Sequence, residues 1–155
     1  MSPAGKQWAK QGLTRGFART FHRPADLMLA FRIGVFLWQL PRRLDRQPLD
    51  SLLRELAEGS DLQSDAQRIS RIRQAWLASP LFRERNTCYI RALTLYRFLG
   101  DQRNSKRIHF GVEPGMRPGD RIHGHAWVTL DGDVLEAPEP LLSGRVRELY
   151  SFPNR

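Results

Sequence analysis

The only cysteine of the chain and a pair of histidines further along are the side chains whose types suit nucleophilic chemistry. Cys88 lies in the stretch NTCYIRALTLYRFLG, and His123 and His125 lie in RIHGHAWVTLDG. A thiolate is a strong nucleophile, and an imidazole can take the thiol proton and later protonate a leaving amine. A cysteine that meets a histidine therefore predicts acyl transfer at a carbonyl group.

The sequence around Cys88 predicts that the thiol lies at the start of a helix. Asn86 or Thr87 can cap a helix that runs to Gly100, which leaves Cys88 in its first turn. The unpaired amides and the dipole of a helix N-terminus favour the thiolate. Because this helix is apolar on nearly all sides, we expect it to be buried. The alternative for a lone cysteine is a small buried apolar residue.

Three alternating stretches after this helix predict an antiparallel sheet. They are RIHFGVE, RIHGHAWVTL and DVLEA, and the last two are joined by a turn at Asp131-Gly132. The predicted fold is α+β, in which N-terminal helices and a buried helix that starts at the cysteine pack on a small antiparallel sheet. This order is the layout of a papain-like cysteine site.

Helical patterns fill the chain before Cys88. The apolar stretch PADLMLAFRIGVFLWQL starts at Pro24, and Pro41 is expected to end it. A second helix is predicted in PLDSLLRELAEG, and Ser64 with Gln67 predicts a capping box for a third. For the tail SGRVRELYSFPNR we expect a short helix that closes the sheet.

Length and charge limit the class of protein. Residues 1–23 predict a basic flexible arm and residues 24–155 a single domain. The formal net charge is +9, but the arginines are scattered, without a run of five or more basic residues. Nucleic acid is therefore disfavoured as a partner, and an acidic peptide or a membrane surface is favoured. With no secretory leader and no possible internal disulfide, we expect a cytoplasmic protein. The first apolar helix is too short to span a bilayer, so we expect it to be either a buried core helix or a helix that lies on a membrane surface.

Several stretches resemble one protein family. CYIRALTLYRFL, the FGV after it, HAWVTLDG and RVRELYSFP are similar to the transglutaminase-like cysteine peptidase of lasso peptide biosynthesis, the B protein, and the resemblance covers residues 24–155. It implies a peptidase that removes the leader from a ribosomally made precursor peptide before an ATP-dependent cyclase closes the ring. No segment resembles the leader-binding element, so the chain is similar to the separate peptidase half. The implied partners are the leader, a separate leader-binding protein and the cyclase; no cofactor or metal is implied.

The resemblance also assigns roles to residues of this chain. Cys88 is the implied nucleophile and His125, which begins the HAWV match, is the implied general base. In relatives an Asp usually follows the histidine by twelve positions, and that position here is Ala137. The orienting residue of a Cys-His-carboxylate triad is therefore an open question.

Hairpin geometry supplies candidates for the missing carboxylate. A two-residue turn pairs Leu130 with Asp133, which places Glu136 on the same strand face as His125 and makes Glu136 the first choice. Glu139 can substitute if the strand bulges. Asp131 lies at the tip of the turn, where a purely conformational role is expected.

Three alternatives remain open at this stage. His123 and His125 could bind zinc together with Cys88 or His109, although no zinc motif is present. His123 is expected to line the cleft or to have only a packing or solvent-edge role. Arg91 is expected to form a structural ion pair, or else to contact the substrate.

The main functional alternative to an enzyme is a basic, non-catalytic module on a degenerate transglutaminase-like fold, which would bind an acidic peptide, nucleic acid or a membrane surface.

Overall fold

Within the described residues, the longer helices precede the strands along the chain, as the sequence predicts. The computed structural model describes residues 24–58, 64–100, 105–114 and 123–153, and the predicted arm lies outside them. The helical elements are α1 Pro24–Arg46, α2 Leu49–Ala57, α3 Ala66–Leu77, a 3₁₀ turn at Arg83–Arg85, and α4 Cys88–Phe98. They are followed by β1 Lys106–Glu113, β2 His123–Leu130, β3 Asp133–Leu135, the short helix α5 Glu139–Leu142, and β4 Arg147–Phe152. The predicted α+β class is confirmed.

The four strands form one antiparallel sheet in the order β3-β2-β1-β4. Leu130 pairs with Asp133 across the two-residue turn, as predicted. Both turn residues, Asp131 and Gly132, have positive φ, which matches the right-handed twist of the flanking strands. Strand β3 ends at Leu135, earlier than the predicted strand DVLEA.

Helix α4 is the central buried helix, because its apolar residues face both the other helices and the sheet. Leu93, Leu95 and Tyr96 are at most 1% exposed, and Ala126 and Val128 of β2 belong to the same core. Burial of each such side chain contributes about 1.5 to 3 kcal/mol to folding. The start of α4 is thus held at a fixed place beside β2.

The prediction that Pro41 ends the first helix is wrong, since α1 continues to Arg46. A proline inside a helix has no amide hydrogen for the carbonyl four residues earlier, which here is that of Leu37. Arg85 Nη1 donates to this Leu37 oxygen at 3.3 Å. A guanidinium from the 3₁₀ turn therefore supplies the hydrogen bond that Pro41 cannot make.

The prediction of a helix in the tail is also wrong, because Arg147–Phe152 forms the edge strand β4. Tyr150 and Phe152 are two residues apart and both pack against the core, as the period of a strand requires. Gly111 of β1 permits the close approach of this segment, since an added Cβ would lie 2.7 Å from the Arg147 carbonyl oxygen.

A smaller correction concerns the start of α3. Its cap is Asp65, whose carboxylate accepts a hydrogen bond from the Arg68 amide at 2.8 Å, and not Ser64. The backbone of Ser64 instead bridges to Leu99 at the end of α4.

Candidate active site

Cys88 is the first residue of α4, as predicted. Thr87, one of the two predicted caps, accepts a hydrogen bond from the Ile90 amide at 3.3 Å. The half-buried Cys88 thiol donates to the carbonyl oxygen of Gly124, with the two atoms 3.5 Å apart. Gly124 immediately precedes His125, so the thiol lies beside the strand that carries the histidine pair.

The thiol opens onto a cavity of about 340 Å³ between α4, β2 and the segment after β3. Arg91 and Leu95 of α4 form one side of this cavity, and Glu136 lies on another. Next to it, a Cβ added at Gly124 would have no atom of the described residues within 4 Å. Among the described residues, the region beside the thiol is thus open at Gly124.

His125 is mostly buried, and its carboxylate neighbour among the described residues is Glu113. The Nε2 atom of His125 lies 3.6 Å from Glu113 Oε2, and the other oxygen of Glu113 lies 3.3 Å from Arg145 Nη1. In the register of β1 and β2, His125 pairs with Gly111 and Glu113 with His123. Glu113 and His125 are therefore diagonal neighbours on one face of the sheet.

The thiol and the imidazole lie at the same end of β2 but are not hydrogen-bonded to each other. Ala126 and Val128 belong to the core that α4 covers, so alternation places His125 and Trp127 on the opposite side of β2. Over the described part of the chain, the only hydrogen bond of the Cys88 thiol is the one to Gly124. The two groups are brought to one end of β2 without direct contact.

Glu136 does not have the predicted position next to His125. It adopts a positive φ of 53° directly after β3, which turns it out of the strand. Its carboxylate accepts from Arg73 Nη2 at 2.6 Å and from the hydroxyl of Ser70. The prediction that Glu136 orients the histidine ring is therefore corrected: Glu136 fixes the segment after β3 to α3.

Arg73, the partner of Glu136, is completely buried. Burial lowers the pKa of Arg73 from its usual value, an effect that Glu136 opposes. Arg73 Nη1 also donates to the backbone carbonyl of Arg91 at 2.9 Å. One guanidinium thus joins α3, α4 and the segment after β3 around the cavity. The only signal of this role in the sequence is an arginine at an otherwise apolar helix position.

The other candidate residues have simple placements. Asp131 is exposed in the turn and Glu139 begins α5. His123 is exposed at the start of β2. The prediction that Arg91 forms an ion pair is wrong within the described residues. The side chain of Arg91 is exposed at the cavity and has no carboxylate partner there.

The described residues contain no set of ligands for the zinc alternative, because no three acidic, histidine or cysteine side chains converge among them. His109 instead stacks on Trp127 with ring centres 5.4 Å apart. Its Nε2 lies 2.9 Å from the Thr129 hydroxyl, and its Nδ1 lies 3.2 Å from Glu148.

Within the described ranges, no helix is both long and apolar enough to cross a bilayer.

The cysteine begins a buried helix and lies beside the strand of the antiparallel sheet that carries the HAW residues. This arrangement defines a papain-like class of core. The family model of the transglutaminase-like superfamily matches residues 27–150, and the chain belongs to that superfamily. No match was found among curated proteins or among solved structures.

Proposed function

We propose that this chain is a cysteine peptidase that removes the leader from a ribosomally made lasso precursor peptide before an ATP-dependent cyclase closes the ring. The observation that carries the proposal is the position of the Cys88 thiol. It lies at the N-terminus of α4, opens onto the cavity, and donates a hydrogen bond to the carbonyl of Gly124, the residue before His125. Membership of the transglutaminase-like superfamily supports this chemistry.

In the proposed reaction, His125 takes the proton of the Cys88 thiol and the sulfur attacks the scissile carbonyl of the leader. The peptide C–N bond breaks, the imidazolium protonates the leaving amine, and the leader remains as a thioester on Cys88. Water then hydrolyses this thioester and restores the thiol. For this step the imidazole must reach the thiol from the end of β2, a contact that substrate binding can tighten.

We further assign to Glu113 the orienting role that an aspartate has in relatives. Its carboxylate lies nearest to His125 Nε2, which leaves Nδ1 as the nitrogen for the thiol proton. Glu113 is on β1, the neighbour of β2 opposite to β3. The carboxylate thus comes from the other side of the histidine strand, and the Ala137 position no longer has to supply it.

The substrate and the partners are part of the same proposal. The leader of the precursor is an extended peptide, which suits the open space beside Gly124. Because the chain resembles the separate peptidase half, we propose that a distinct leader-binding protein delivers the precursor and that the cyclase accepts the freed amine.

One alternative has an observation in its favour. The thiol is bonded to a backbone carbonyl and the ring of His125 faces Glu113, which is also what a non-catalytic binding module on this fold would show. Such a module would tolerate Cys88→Ala without loss of function.

Acylation by p-nitrophenyl acetate separates the two functions, because this small activated ester needs no leader-binding partner. A peptidase releases a burst of nitrophenol equivalent to the protein and gains an acetyl group on Cys88, detected by peptide mass spectrometry, and Cys88→Ala abolishes both signals. If the burst is absent, the peptidase proposal is wrong. Cleavage of a precursor peptide from the same genome, with its leader-binding protein added, then tests the lasso assignment.

A further inference from the structure

A concave apolar surface lies on the helical side of the molecule, away from the cavity at Cys88. It has a volume of about 230 Å³ and is formed by Phe31, Gly34, Val35 and Trp38 of α1, together with Trp76, Leu81 and Phe82. We refer to it as the α1 groove. Phe31 is 66% exposed and Leu81 is 59% exposed, although large apolar side chains are normally covered in a folded protein.

The floor of the α1 groove is held by a hydrogen bond and by close aromatic packing. Trp76 Nε1 donates to the carbonyl of Ala30 at 2.8 Å, and its ring packs edge-to-face on Phe82 at 5.7 Å. The backbone of Gly34 packs closely on the same indole, since a Cβ added there would be 2.7 Å from Trp76 Cζ2. A preformed concave floor of this size suits insertion of one leucine, phenylalanine or tryptophan side chain.

The rim of the α1 groove is positively charged. The guanidinium carbons of Arg42 and Arg85 lie 5.5 and 5.8 Å from the ring centre of Trp38. Neither arginine forms an ion pair with a carboxylate anywhere in the described ranges. Glu84 is the acidic residue of the adjoining 3₁₀ turn, between Arg83 and Arg85, so the turn keeps a net positive charge.

From this combination we infer that the α1 groove binds an acidic amphipathic segment of a partner protein, which inserts an apolar side chain beside Trp38 and places carboxylates on Arg42 and Arg85. The positive charge of Arg42 and Arg85 at the rim favours an acidic occupant. Residues 1–23 of the chain carry five lysines and arginines and no acidic residue, so they do not complement the rim. The inference does not depend on the chemistry of Cys88 and holds for a peptidase or a binding module.

The concave shape also distinguishes a peptide from a lipid surface. A bilayer contacts side chains that project from a protein, whereas a floor formed by Gly34 and Trp76 receives a side chain that enters it. Aromatic walls with arginines around a central pocket are typical of protein interfaces with one dominant anchor.

Two synthetic peptides with the same leucine and tryptophan face, one with glutamates and one with lysines on the polar face, test this inference with the full chain. Fluorescence anisotropy is expected to show at least tenfold tighter binding of the glutamate peptide, weakened by added salt. Val35→Asp, in the wall of the groove, is expected to weaken that binding at least tenfold. Leu142→Asp is the matched control, because Leu142 is exposed on α5, and it is expected to leave binding unchanged.

Each other outcome overturns the inference. Equal affinity for both peptides removes the charge argument, and binding that Val35→Asp does not change places the peptide elsewhere. Phosphatidylglycerol vesicles provide the remaining comparison: if they bind the chain through Val35 while neither peptide does, the surface is a lipid contact and the peptide inference is wrong. Thermal unfolding of both variants verifies that they are folded.

Discussion

Glu113 and His125 are diagonal neighbours across the β1–β2 pair, with the Glu113 carboxylate 3.6 Å from His125 Nε2. Arg145 binds the second oxygen of the same carboxylate and so fixes its orientation. His125 thus keeps a carboxylate partner, although Ala137 stands where relatives usually have the aspartate. This geometry also predicts which glutamate matters for the reactivity of Cys88 and which does not.

The first prediction concerns that choice of glutamate. Glu113→Gln is expected to lower the rate of Cys88 alkylation at pH 6 by about tenfold or more, because the amide no longer stabilises the charged imidazole. Glu136→Gln is the matched control and is expected to leave the alkylation rate within about twofold, after correction for any unfolded fraction. The assignment of Glu113 is wrong if the two variants react alike.

The second prediction is that Glu136 matters for stability. Glu136→Gln is expected to lower the free energy of unfolding by about 3 kcal/mol, since it leaves the fully buried guanidinium of Arg73 without its carboxylate. Arg73→Met removes the buried charge together with its need for a partner, and we expect it to cost less. Urea unfolding measures both, and a loss below about 0.5 kcal/mol for Glu136→Gln would contradict this role.

The sequence predicted the elements that hold the catalytic candidates better than it predicted their partners. The turn at Asp131-Gly132 and the cap at Thr87 depend on residues near each other in the chain, and both predictions are confirmed. The contact of Glu113 with His125 depends on the register of β1 and β2, which are joined by a long connection. Local pattern does not determine that register.

Two further differences have tertiary causes. Helix α1 continues through Pro41 because Arg85, far along the chain, bonds to the freed carbonyl of Leu37. Glu136 leaves the strand because buried Arg73 attracts its carboxylate. In both cases an arginine distant in sequence decides the local conformation, so propensity and alternation alone point to the wrong result.

A third prediction tests the close packing of β4 on β1. Gly111→Ala is expected to lower the free energy of unfolding by about 1 to 3 kcal/mol, because its Cβ would lie 2.7 Å from both the Arg147 carbonyl and Val146 Cγ1. Gly124→Ala is the control, since that Cβ would meet no atom within 4 Å, and a change of less than about 0.5 kcal/mol is expected. Equal stability of the two variants in urea would show that β4 can move away without cost.

The central claim is that Cys88 and His125 act as a pair. The most direct test is the rate of Cys88 alkylation by iodoacetamide from pH 5 to pH 9, in the unaltered chain and in His125→Ala. The account predicts rapid alkylation near pH 6 that His125→Ala abolishes, because the imidazole holds the proton that the thiol releases. Slow alkylation that rises only at alkaline pH and is the same in both proteins would contradict it, and would favour the binding module.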